Sequence, residues 1–136
     1  MKVYISHAWQ DAALCSVLAK GLQGEGLQVW LPQYEIYPGD NWAEKVAQAL
    51  NESAAMVLLL TPAALNSPNV QWELGFALGN IAYEHRVISV LVGSEEKVPL
   101  AGLPGVLRRL PFIRIAGAAE IEQAVQHICH SLAAAA

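Results

Sequence analysis

The chain has 136 residues, 54% of them hydrophobic and 15% charged, and twelve acidic against eight basic side chains give a formal charge of −4. One domain of this size buries a core large enough to need no disulfide or metal, and the apolar excess excludes intrinsic disorder, since soluble proteins average ~25% charged residues. Arg108-Arg109 is the only adjacent basic pair, so no basic stripe exists to neutralise phosphates and direct nucleic-acid binding is not expected.

Residues 3–5 read as a first strand, and residues 11–23 follow with helical spacing that puts Leu14, Val17, Leu18 and Leu22 on one face. Gly24-Glu25-Gly26 stops that helix. Residues 27–31 form a second strand closed by Pro32. Residues 33–41 are a loop with a turn signal at Pro38-Gly39-Asp40. Asn41 or Asp40 caps a helix reaching residue 52, with Val46, Ala47 and Leu50 inward. Residues 56–60 are an unbroken apolar run, as in a parallel-sheet strand covered on both faces. Residues 61–69 read as a loop with two prolines. Residues 70–83 read as a helix with Leu74, Ala77, Leu78 and Ile81 on one face. Residues 86–92 are a fourth strand, 93–110 hold at most a short helix, and 112–115 are a fifth strand. The last helix spans 118–133 with Ile121, Ala124, Val125, Ile128 and Leu132 inward. The reading is one domain over residues 1–133 and an alanine-rich tail over 134–136, a frayed end or the start of a linker.

The mean hydropathy is positive, at +0.33. Even so, the richest apolar stretch, residues 54–60, is far shorter than the ~20 residues of a membrane-spanning helix. The N-terminus turns polar at Ser6-His7, too soon for a signal peptide. Cys15 and Cys129 lie far apart in helical patterns and read as two reduced, buried thiols, which fits a cytoplasmic location.

Five strands alternating with helices make an open α/β sheet covered on both faces. Such sheets bind ligands beyond the carboxyl ends of their strands. That points to residues 7–11, 32–42 and 61–72. All four tryptophans, Trp9, Trp30, Trp42 and Trp72, lie in or beside these loops, with His7, Asp11, Tyr34, Tyr37, Asp40, Asn41, Ser67 and Asn69. An aromatic cleft with a few polar groups suits a small molecule carrying a stackable ring. Trp30, inside a strand, reads as packing; Trp9 reads as either packing or stacking. Glu73 stands near the start of an otherwise apolar helix. It is either a partner for the helix dipole or a carboxylate aimed into the cleft, where it would hold ribose hydroxyls and stabilise an oxocarbenium-like centre. No phosphate-cradling glycine loop and no nucleophile elbow is present. His127, Cys129 and His130 do not share one helix face, so no metal centre is expected.

Four ordered segments resemble a bacterial TIR (Toll/interleukin receptor) domain. They are Val3-Tyr4-Ile5-Ser6-His7-Ala8; Val29-Trp30-Leu31 with Pro38-Gly39-Asp40-Asn41-Trp42; residues 56–61; and Ser67-Pro68-Asn69-Val70-Gln71-Trp72-Glu73-Leu74-Gly75-Phe76-Ala77-Leu78. The resemblance implies a flavodoxin-like three-layer fold with five parallel strands. It also implies NAD⁺ glycohydrolase or cyclase activity, with NAD⁺ as substrate and no separate cofactor. By carry-over Glu73 matches the catalytic glutamate, and His7, Ala8 and Trp9 match the loop facing the nicotinamide end. Ser67 matches a serine upstream of the glutamate, and Trp42 joins the substrate site. Residues 32–42 match the BB loop, whose Tyr37, Pro38, Gly39 and Asp40 would meet a neighbouring TIR protomer. Many members carry an aromatic residue where Asn69 stands, and Trp72 is the candidate replacement. The family further implies activation by oligomerisation, a sensor domain or protein outside this chain, and a role in antiphage defence. The rivals are a non-enzymatic TIR adaptor, a nucleoside deoxyribosyltransferase-like enzyme using a covalent glutamyl ester, and a receiver domain. The last is disfavoured because Asp11 and Asp40 are the only aspartates.

Overall fold

The computed structural model describes residues 1–31 and 35–135. Pro32 and Tyr34, assigned above to the loop after the second strand, lie outside the described residues, as does Ala136 of the tail. Five strands form one parallel sheet: β1 (Lys2–Ser6), β2 (Gln28–Trp30), β3 (Ala55–Leu60), β4 (Val87–Val92) and β5 (Phe112–Ile115), in spatial order 2-1-3-4-5. This is the flavodoxin-like order, with β1 and β3 adjacent and in register from Val3–Ala55 to Ser6–Leu58.

Because strand side chains alternate between faces, the sheet builds two cores. Val3, Ile5, Ala55, Val57, Leu59, Ile88 and Val90 pack under α1 (Ala12–Gly24) and α6 (Ile121–Ala135). Tyr4, Met56, Leu58, Leu60, Val87 and Leu91 pack under α2 (Trp42–Glu52), α3 (Pro62–Leu65), α4 (Pro68–Leu78) and α5 (Gly105–Arg109). All six β3 residues are buried, which accounts for the unbroken apolar run. The α6 inward face is the expected set of Ile121, Ala124, Val125, Ile128 and Leu132, and the helix continues through Ala135. No helix among the described residues is long and apolar enough to cross a membrane.

Several expectations change. The two prolines expected in a loop each open a helix: Pro62 starts α3 behind the Thr61 cap, and Pro68 starts α4 behind the Ser67 cap. Proline is suited to a first helical position, where its missing N–H has no helical partner to lose. Next, α4 stops at Leu78, and Ile81–Tyr83 is a separate 3₁₀ turn. Finally, Val70 and Glu73 join the expected Ala77 on the inward face of α4, with Leu74 partly buried against the core, while Leu78 is 42% and Ile81 85% exposed. In α1, similarly, Cys15, Leu18, Ala19 and Leu22 are buried and Val17 is exposed. In α2, Ala49 is buried with Val46 and Leu50, and Ala47 is half-buried.

The α1–α6 contact depends on a glycine. A Cβ added at Gly21 would lie 2.6 Å from Val125 Cγ2. Alanine there gains about 1 kcal/mol of helix propensity, but forcing the helices apart costs about 1–3 kcal/mol. Gly21→Ala is expected to unfold at lower urea concentration than wild type. Combined with Val125→Ala, it should lose less than the sum of the single changes. A stabilised Gly21→Ala, or strict additivity, would show that this contact is loose.

Candidate active site

Tyr4 and Ser6 are two residues apart on β1, so both side chains leave the same sheet face at its carboxyl end. They meet Glu73, one and a half turns into α4. The Tyr4 hydroxyl donates to Glu73 Oε2, and Ser6 Oγ donates to Oε1 at 2.7 Å. Glu73 is 3% exposed. Among the described residues the ion pairs are Lys2–Glu52, Lys45–Asp40, His85–Glu84 and Arg114–Glu95, so no cation neutralises it. Burial pushes its pKa above the ordinary glutamate value, and the two hydroxyl bonds pull it back part of the way. The helix-dipole reading of Glu73 falls away, because α4 begins at Pro68 and its first turn contains no acid.

The supporting groups are fixed. The Tyr4 ring stacks on Trp30 at 5.4 Å and 11°, so Trp30 is packing, as its place in a strand suggests. Burial, reinforced by the Glu73 charge, raises the Tyr4 pKa and keeps the phenol a donor. His7 is buried too, with Nδ1 3.4 Å from both Ile5 O and Cys15 Sγ. Desolvation lowers its pKa, against smaller opposing effects of the Ile5 carbonyl and Asp11, and favours the neutral imidazole. Burial pushes the Cys15 thiol up to about 12, so it is no nucleophile. Thr61 Oγ1 donates to Asp11 Oδ2 at 2.5 Å, tying together the segments that follow β1 and β3.

Tyr4, Ile5, His7, Trp9, Trp42, Asn69 and Glu73 line one narrow cleft that encloses only about 10 Å³. Its mouth is framed by Trp9 and Trp42, with ring centroids 5.7 Å apart and planes at 41°. The family model described as "TIR domain" matches residues 3–129. The chain belongs to the TIR domain family.

Two curated relatives are similar to this TIR domain. It is 32% identical over 60 residues to the NAD(+) hydrolase PdTIR of Paracoccus denitrificans, a match covering 43% of this chain and 20% of that protein. It is 26% identical over 86 residues to the 2' cyclic ADP-D-ribose synthase BtTIR of Bacteroides thetaiotaomicron, covering 62% and 30%. The matches thus span less than a third of either relative's length. Among solved structures, the TIR domain of the Toll-related receptor TRR-2 from Hydra magnipapillata superposes with a TM-score of 0.72 at 15% identity, covering 96% of this chain and 97% of that one. That likeness carries the fold.

Of the other residues singled out from sequence, Ala8 is buried behind the cleft without lining it. Ser67 caps α4 and donates to Asn69 Oδ1 at 3.1 Å, fixing the amide at the cleft wall. Trp72 does not replace the aromatic residue missing at position 69: it is 55% exposed and packs on Phe76 at 6.2 Å, outside the cleft. Its side chain leaves α4 about 100° away from that of Glu73. The aromatic walls come from Trp9 and Trp42. Tyr37, Pro38, Gly39 and Asp40 form an exposed turn in which Asp40 Oδ2 accepts from Tyr37 N at 2.9 Å and Gly39 takes φ +92°. Asn41, and not Asp40, caps α2. No group of three His, Cys, Asp or Glu side chains placed to hold a metal occurs among the described residues. Tyr4 and Ser6 were not singled out from sequence. The signal was available as two hydroxyls at alternate positions of an otherwise apolar strand.

Proposed function

We propose that this TIR domain cleaves the nicotinamide–ribosyl bond of NAD⁺. The observation that carries the reading is Glu73: a buried carboxylate with no cationic partner among the described residues, gripped by two hydroxyls, at the floor of a tryptophan-framed cleft. An ionised carboxylate accepts about four hydrogen bonds. Tyr4 and Ser6 take one on each oxygen, leaving one on each for the 2'- and 3'-hydroxyls of a ribose. The C1'–N bond breaks with its electron pair going to the nicotinamide nitrogen. The cationic ring leaves neutral and needs no general acid. Glu73 offsets the positive charge that develops on the sugar. Trp9 and Trp42 hold the nicotinamide end. Water at C1' gives ADP-ribose and a proton; an internal nucleophile of the ADP-ribosyl group gives a cyclic isomer. The NAD(+) hydrolase PdTIR and the 2' cyclic ADP-D-ribose synthase BtTIR support the two outcomes in turn.

At about 10 Å³ the cleft is far below the ~300–1,000 Å³ of ordinary ligand pockets, so in this reading it must open before the nicotinamide end of the dinucleotide can enter. The exposed 37–40 turn, close to Trp42 in sequence, is the surface by which a second protomer completes the site. In this reading the domain is a cytoplasmic effector of antiphage defence, switched on by self-association under a sensor carried elsewhere.

The test follows nicotinamide release from NAD⁺ at rising protein concentration, with the co-product identified by chromatography. Release that climbs more steeply than concentration and vanishes in Glu73→Gln supports the reading. Turnover of deoxynucleosides with no NAD⁺ cleavage selects the deoxyribosyltransferase alternative. No turnover with intact self-association selects the adaptor.

A further inference from the structure

Tyr4 is a buried phenol that serves no packing need a phenylalanine would not meet. Its ring stacks on Trp30, and the hydroxyl is spent on one acceptor, Glu73 Oε2. Ser6, the next residue on the same face of β1, supplies Oε1. We infer that Tyr4, seconded by Ser6, is a positioning residue that holds the Glu73 carboxylate charged and fixed at the cleft floor, and so sets the pH range in which the site works. This rests on the reading of Glu73 as the working carboxylate.

The surroundings leave that task to the hydroxyls. A carboxylate removed from water is driven toward its neutral acid unless a cation or hydrogen-bond donors favour the charged form. From β3 only Met56, Leu58 and Leu60 face this side, and from α2 the inward residues are Val46, Ala49 and Leu50, with Lys45 and Glu44 exposed. From α3, Ala64 is the buried side chain. The titratable groups nearby are otherwise engaged: His7 Nδ1 contacts Ile5 O and Cys15 Sγ, and the Tyr83 hydroxyl donates to Leu50 O at 2.5 Å. Two donors held on one rigid strand therefore do what an arginine or lysine does elsewhere. They do it without placing positive charge beside a cationic substrate ring, where a basic side chain would repel the nicotinamide end and cancel the field Glu73 exerts on the sugar.

The experiment titrates the Glu73 side-chain carboxyl by ¹³C NMR in the full chain, its resonance assigned by its disappearance in Glu73→Gln. The variants are Tyr4→Phe, which keeps the ring and its stack on Trp30, and Ser6→Ala as a second probe should the first fold poorly. The midpoint is expected to rise by about one pH unit or more in Tyr4→Phe and to rise in Ser6→Ala. The acid limb of the pH–rate profile for nicotinamide release should move up by the same amount. A midpoint that stays put in the folded variants overturns the inference, as does an equal loss of activity at every pH. If the wild-type chain releases no nicotinamide, the activity reading fails while the titration still decides the role of Tyr4.

Discussion

Glu73→Gln is expected to lower nicotinamide release by about 10²–10³-fold, the range seen when one group stabilising transition-state charge is removed. The same change should make the domain more stable at neutral pH. Burial raises the folded pKa of Glu73 above its unfolded value, so folding favours the protonated acid. The contribution of this group to stability is full below the ordinary glutamate range and is lost as pH rises through the folded pKa. At pH 7–8 the wild type therefore carries the cost of a buried anion, and the neutral amide does not. A gain of about 1–3 kcal/mol is expected there, the size of a buried polar penalty. The gain should shrink as pH falls through the raised folded pKa, where the wild-type carboxyl takes up its proton. Urea melts of both proteins at pH 5 and pH 8 check this. A variant that is inactive and also destabilised at pH 8 would mean that Glu73 holds the fold together, and its loss of activity would then say nothing about chemistry.

The second large effect concerns the orientation of α4. Ala77→Asp should cost about 3 kcal/mol or more and leave much of the domain unfolded, because Ala77 is 2% exposed against an apolar core and the new carboxylate finds no donor there. Leu78→Asp, one residue on, should stay within about 1 kcal/mol of wild type, because Leu78 faces solvent. Both positions lie in the last turn, where a negative charge meets the same unfavourable helix dipole, so each controls for the other. Thermal melts decide it. Equal losses would mean that α4 is rotated from the orientation that places Glu73 in the cleft.

Hydropathy alone places only half of the inward face of this helix: Ala77 is buried and Leu74 packs against the core, but Leu78 and Ile81 face solvent. The true inward row, Val70, Glu73 and Ala77, has a carboxylate at its centre and an alanine at its end. The solvent side carries Leu78 and, just beyond the helix, Ile81. A periodicity reading follows apolar volume, so a site that buries a charge hides its own orientation. By contrast β3 and α6, whose inward positions are all apolar, read correctly. Tyr4 and Ser6 escaped notice for a related cause: in a strand they are two ordinary residues, and only the arrival of α4 gives their hydroxyls a shared acceptor. Trp72 shows the reverse error, since adjacency in sequence to Glu73 means divergence on a helix.

The chain by itself settled the class of fold, the number of strands and their places along the sequence, and it marked Glu73 as the charge to watch. Those follow from local patterning: apolar runs, helix stops, and an acid set in an apolar helix. Which side chains surround that acid was decided only in three dimensions. The parallel pairing of β1 with β3 brings residues 67 and 69 positions apart in sequence into one hydrogen-bonded cluster, and Trp9 meets Trp42 across two different crossovers. Contacts of that range depend on how the elements pack, and packing leaves no periodic trace in the sequence of any one of them.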